Sequence, residues 1–168
     1  MKIILPMTDN DIALLKECVK IAHEAMMEGN HPFGALLADK DGNILMRQKN
    51  DFKSGGSAYH AETLLVFRAA KTYPADFLKE CTLYTNFEPC CMCTGAIYWA
   101  NIGRLVFGAT EKDLLRFTGA NEENPTFSLS SREVLAHGQK DIVVEGPVED
   151  EELLQFIVKD HIDFWKNR

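Results

Sequence analysis

The sequence predicts an α/β protein: a three-layer α/β/α sandwich on a mixed five-stranded sheet, with the first two strands antiparallel and the last parallel. Three observations predict it. Amphipathic segments of helical period alternate with short apolar runs along the chain. Asp39-Lys40-Asp41-Gly42-Asn43 joins the first two such runs as a hairpin turn, with Gly42 able to take positive φ. Leu105-Val106-Phe107 is a continuous apolar run of the kind buried on both faces. The long segment after it carries helical signal, which favours a parallel crossover into the last strand.

Each element follows in order. Thr8 or Asp9 caps a first helix through about Met27, whose Ile12, Leu15, Val19, Ala22 and Met26 share one face. Phe33 to Ala38 and Ile44 to Gln48 are the hairpin strands, and Asn50 to Tyr59 is a polar loop. His60 to Thr72 is a helix that Pro74 ends. Thr82 to Thr85 is a strand, and Pro89 opens a helix to about Ala100. Arg104 to Gly108 is the fourth strand. Short helices fall near Lys112–Phe117 and Ser131–Ala136 in an otherwise irregular stretch. Asp141 to Glu145 is the fifth strand, and Glu149 to Lys166 is one closing helix. The 168 residues show no repeat or linker and are read as one domain, 1–168.

Composition narrows the function. A net charge of −7 argues against a broad basic surface for nucleic acid and leaves a neutral small molecule as the expected partner. Met1-Lys2-Ile3-Ile4-Leu5-Pro6 is too short an apolar stretch for a signal peptide, and no run approaches the ~18 residues of a membrane helix. A cytoplasmic protein without a membrane partner is expected. Five cysteines, three of them within four positions, do not form a disulfide framework. Cys18 and Cys81 read as buried thiols.

The informative pattern is His60-Ala61-Glu62, then 26 residues, then Pro89-Cys90-Cys91-Met92-Cys93. Cys90 and Cys93, three apart, fall on one face of a helix. With His60 they make three protein ligands for one Zn2+, an open catalytic set rather than a closed structural one. Glu62 is a carboxylate beside that site, fit to move a proton between water and substrate. Cys91, one step around the helix from Cys90, reads as packing, and His23, His31, His137 and His161 as surface or core residues.

These residues carry a resemblance. H-x-E followed by P-C-x-x-C is the pattern of zinc nucleobase deaminases. The chain resembles the cytidine/deoxycytidylate deaminase superfamily, in the branch of guanine deaminases and tRNA adenosine deaminases. Pro32-Phe33-Gly34-Ala35, Asn50 ten residues before His60, Leu83-Tyr84-Thr85, Gly95-Ala96-Ile97-Tyr98-Trp99-Ala100 and Val106-Phe107-Gly108-Ala109 extend it over about residues 10–120. The Gly95–Ala100 segment is similar to that helix in bacterial guanine deaminases.

The resemblance implies a cytidine deaminase-like fold, one zinc per chain and a homodimer. It implies hydrolytic deamination of a purine base, guanine to xanthine, with Glu62 as the proton carrier. Ammeline, cytosine, cytidine, guanosine and tRNA adenosine are the alternative substrates. By the same resemblance Asn50 and the Ala61 backbone N–H fix the base edge, Phe33 and Trp99 wall the pocket, and Glu122 reads the purine edge. Two departures stand out. Gly56-Ser57-Ala58-Tyr59 replaces the Asp-Pro-Thr-Ala of many relatives, and the chain ends Asp163-Phe164-Trp165-Lys166-Asn167-Arg168 without the terminal Tyr of bacterial guanine deaminases. The rival from another class is a zinc-stabilised binding module that has lost catalysis, which requires a fourth protein ligand.

Overall fold

The structure is a computed structural model that describes residues 7–168. The N-terminal stretch read for a signal peptide, residues 1–6, lies outside the described residues. In chain order the elements are α1 (Asp9–Met27), β1 (Gly34–Ala38), β2 (Ile44–Lys49), α2 (Phe52–Gly55), α3 (Ala61–Thr72), α4 (Ala75–Leu78), β3 (Thr82–Phe87), α5 (Cys91–Ala100), β4 (Arg104–Ala109), α6 (Glu111–Thr118), α7 (Ser131–Ala136), β5 (Val143–Glu145), α8 (Glu151–Val158) and α9 (His161–Phe164). The sheet runs β2-β1-β3-β4-β5. β1 is antiparallel to both β2 and β3, while β4 is parallel to β3 and β5. This is the predicted mixed sheet, with the last strand parallel.

Alternation along the strands builds two cores. Leu36, Ala38, Tyr84 and Val106 face α1 and α8 on one side. Ala35, Leu37, Leu83, Leu105 and Phe107 face α3 and α5 on the other. Thr8 caps α1 in a full capping box with Asp11, satisfying backbone donors that the first turn leaves free. Gly34 lets α1 close on β1: a Cβ there would lie 2.6 Å from Ala22 N and Cys18 O. Arg104 ties the layers together through ion pairs with Asp11 and Glu145 and a hydrogen bond to Tyr84 Oη. No helix among the described residues is long and apolar enough to cross a membrane.

The structure differs from the sequence reading in four places. The polar stretch after Asn50 folds into α2 and a 3-10 turn, Gly56–Ala58, because Asn50 Oδ1 accepts the Phe52 N–H at 2.9 Å and starts the turn. β3 continues to Phe87, which pairs with Ala109 of β4. The short α4 follows Pro74, its four residues too few to show a period. The closing helix breaks at Lys159–Asp160. There the chain turns His161 and Trp165 inward. His161 Nε2–H donates to Pro32 O at 2.7 Å, and the Trp165 indole N–H donates to His161 Nδ1 at 3.1 Å. Trp165 therefore packs within its own chain, against Phe33, His31 and Phe164.

Burial pushes the His161 imidazole down to about 3 from an ordinary 6.5. A histidine held neutral in the fold must charge on unfolding below its ordinary value, so its stabilisation is full above pH 6.5 and lost as pH falls towards 3. The midpoint of thermal unfolding is expected to drop between pH 7.5 and pH 5, and His161→Phe to drop less over the same interval. Equal drops in both proteins would contradict the assignment.

Candidate active site

Two helix starts meet at the site. His60 is the residue before α3 and Glu62 lies in its first turn; Cys90 precedes α5 and Cys93 lies in its first turn. α3 and α5 pack against each other on the same sheet face. Nδ1 of His60 lies 3.5 Å from Sγ of Cys90 and 3.5 Å from Sγ of Cys93. All three donor atoms fall within 4.8 Å of one another. Bonds of about 2.3 Å to sulfur and about 2.0–2.1 Å to nitrogen, at a tetrahedral angle, separate those atoms by about 3.6 Å. The donor set therefore fits Zn2+ in both chemistry and spacing. The Cys93 thiol, followed by the His60 ring, holds Cys90 well below the ordinary thiol range. Burial holds Cys93 above that range.

Glu62 is buried, and its Oε1 lies 2.6 Å from the Thr85 hydroxyl, which also lies 3.0 Å from Phe87 O. Burial raises its carboxyl above the ordinary value, against the opposing pull of His60 and Thr85. Thr63 Oγ1 donates to Cys93 Sγ at 3.0 Å, an outer partner that orients the ligand. Thr63→Val is expected to weaken zinc affinity about 10–100-fold, read by competition with a chelator. Unchanged affinity would make that contact incidental.

Phe33, Asn50, His60, Glu62 and Cys90 line one cavity of about 410 Å3. Its size suits a small molecule. Asn50 Oδ1 accepts the backbone N–H groups of His31 and Phe52 at 3.3 and 2.9 Å. That leaves the amide Nδ2 as the group free to donate to a ligand. Phe33 stands edge-on to Phe87 at 5.9 Å and tilted against His161 at 5.0 Å. Ala61 opens α3, where the first backbone N–H groups have no intrahelical acceptor.

Two expected substrate-binding residues, the wall residue Trp99 and the edge-reading Glu122, stand elsewhere. Trp99 is 80% exposed, edge-on to Tyr98 at 5.2 Å, and is not part of the cavity wall. The cavity meets α5 at its start, and nine residues of helix carry Trp99 about 13 Å further along the axis. Glu122 is exposed, and its neighbour Glu123 lines the cavity instead. Asn121 Oδ1 accepts the Glu123 N–H at 2.9 Å, a local turn that selects 123 over 122. Arg168 Nη1 lies 3.3 Å from both Glu123 carboxylate oxygens.

His31, Glu111 and Phe127 also line the cavity, and sequence reasoning did not find them. His31, beside Pro32-Phe33, was the one with a local signal; its ring stacks on Phe52 at 4.0 Å. Cys91, read as packing, lines the cavity too.

An open three-ligand zinc site with a buried carboxylate beside it, on a mixed α/β/α sheet, defines a hydrolytic zinc deaminase. The chain belongs to the family described as the cytidine and deoxycytidylate deaminase zinc-binding region, whose model matches residues 8–109. It is 38% identical over 160 residues to a probable cytosine deaminase of Schizosaccharomyces pombe, covering 95% of this chain and 94% of that one. It is 40% identical over 106 residues to a guanine deaminase of Bacillus subtilis, covering 62% of this chain and 67% of that one. The fold is similar to that of a guanine deaminase from Nitrosomonas europaea, with a TM-score of 0.69 and 23% identity, covering 94% of this chain and 86% of that one. The protein is a zinc-dependent enzyme that hydrolyses the exocyclic C–N bond of a nucleobase or nucleoside.

Proposed function

We propose that the substrate is a small aminated base, guanine in first place, converted to xanthine with release of ammonia. The observation that carries this reading is the joining of His60, Cys90 and Glu62 to Phe33 and Asn50 in one small cavity. No lysine or arginine lines that cavity among the described residues, which disfavours a nucleotide phosphate. The guanine deaminase relative and the Gly95–Ala100 segment support guanine. Cytosine is the second reading, supported by the Schizosaccharomyces pombe relative that matches nearly the whole chain.

His60, Cys90 and Cys93 would hold the zinc. When bound, it supplies Lewis acidity that lowers the pKa of water from about 15.7 to about 7. Glu62 accepts a proton from the attacking water and hands it to the ring nitrogen beside the amino-bearing carbon. Water oxygen bonds to that carbon. Glu62 then moves the second proton to the amino group, the C–N bond breaks, and ammonia leaves as the carbonyl forms. Asn50 Nδ2 and the Ala61 N–H hold the base edge, Phe33 covers its face, and Glu123 takes the edge-reading role first assigned to Glu122. The acting unit is a homodimer of single-domain chains in the cytoplasm, a compartment that suits free thiols. Ammonia release from guanine, guanosine, cytosine, cytidine, adenine and ammeline tests the reading. Guanine as the best substrate is expected; cytosine as the best would transfer the assignment, and activity confined to nucleosides would overturn it.

A further inference from the structure

Glu111 is a buried acid that the chemistry described so far does not use. It opens α6, is 5% exposed and lines the cavity. Its backbone N–H donates to Glu88 Oε1 at 3.1 Å. Among the described residues its own carboxyl has neither a hydrogen bond nor an ion pair, whereas Glu88 is fully engaged by Ser131 and by that N–H. A carboxyl at the cavity wall with no protein partner is available to pair with a bound ligand.

The surroundings decide its form. Glu62, Glu88 and Glu123 line the same cavity, and among the described residues no lysine or arginine does. Zn2+ held by two thiolates adds no net positive charge to offset another anion. Burial above all, with the nearby acids Glu62 and Glu88, pushes the Glu111 carboxyl well up from its ordinary value. At neutral pH it is a carboxylic acid, with one O–H donor and one free acceptor oxygen in a single plane.

We propose that Glu111 is a substrate-specificity residue that pairs with the base through its planar carboxyl, donating one hydrogen bond and accepting another. The edge it fits has a donor and an acceptor side by side, such as the N–H and C=O of a lactam. Guanine and cytosine both have such an edge. An ionised carboxylate, which only accepts, does not match it. The inference rests on the small-base reading above and deepens it.

Glutamine keeps the shape and both hydrogen-bonding functions of a neutral carboxyl; leucine keeps the size and has neither. Glu111→Gln and Glu111→Leu would be compared with wild type as zinc-loaded full-length proteins, on whichever compound of the six-member panel wild type turns over. Glu111→Gln is expected to stay within about threefold of wild-type kcat/KM, and Glu111→Leu to lose about tenfold or more with zinc content unchanged. An active Glu111→Leu, or a Glu111→Gln as impaired as Glu111→Leu, would overturn the proposal. The infrared difference between wild type and Glu111→Gln at pH 7 gives a readout independent of turnover and of the leucine variant's folding. A protonated carboxyl band supports the proposal and a carboxylate band overturns it. Panel rates of wild type alone judge the small-base reading, so the two can fail separately.

Discussion

Replacing Glu62 by alanine is expected to abolish turnover while leaving the fold and the zinc in place. General acid–base catalysis contributes about 10²–10⁴-fold, and Glu62 serves several proton transfers in one cycle, so the loss should reach the upper end. The expectation rests on position. Glu62 is buried in the first turn of α3, two residues from His60, and lines the cavity with Phe33 and Asn50. It is not one of the grouped metal donors. Thr85 fixes Oε1 at 2.6 Å, and Oε2 lies 3.6 Å from Cys93 Sγ, which sets the carboxyl beside the metal ligands. Glu62→Gln, which keeps the shape and the Thr85 contact, should be as inactive as Glu62→Ala. Ammonia release and zinc content measured on the same samples check both statements. The catalytically silent binding-module reading makes the opposite prediction, that neither substitution changes a measurable property.

The second large effect is expected at Cys93. It is buried under the site, receives the Thr63 hydroxyl and lies 3.5 Å from His60 Nδ1. Cys93→Ala leaves two protein ligands, too few to fill a tetrahedral zinc site. Metal affinity should fall by more than the about 10–100-fold typical of an outer partner. Activity should fall with it, and because metal binding is coupled to folding, the unfolding temperature should drop as well. Metal analysis after dialysis and a thermal melt measure the two consequences. Full zinc occupancy in Cys93→Ala would remove Cys93 from the ligand set.

Much of this was legible because it is encoded locally. Thr8 with Asp11 three residues on is a capping signal in any context. Asp39 to Asn43 specifies a turn by its own side chains. The His60, Cys90 and Cys93 ligands occupy short fixed spacings that helix geometry turns into a cluster. What was not legible depends on distant partners. The break before α9 exists because His161 finds Pro32 O and Trp165 finds His161, and no periodicity in residues 149–166 encodes those partners. Trp99 carries a wall-like residue type on the family's helix, yet its distance from the helix start takes it to the surface. Glu122 and Glu123 are indistinguishable in sequence; the Asn121 turn separates them. Glu111 and His31 come to the cavity from elements far apart in the chain, with only residue type to mark them.

The most direct test of the central claim compares zinc-loaded wild type with Glu62→Ala for ammonia release from guanine and cytosine. The expected result is turnover of one of these bases by wild type, and its loss in the variant at unchanged zinc content. Turnover that persists in Glu62→Ala at near wild-type rate would contradict the account of how this site works.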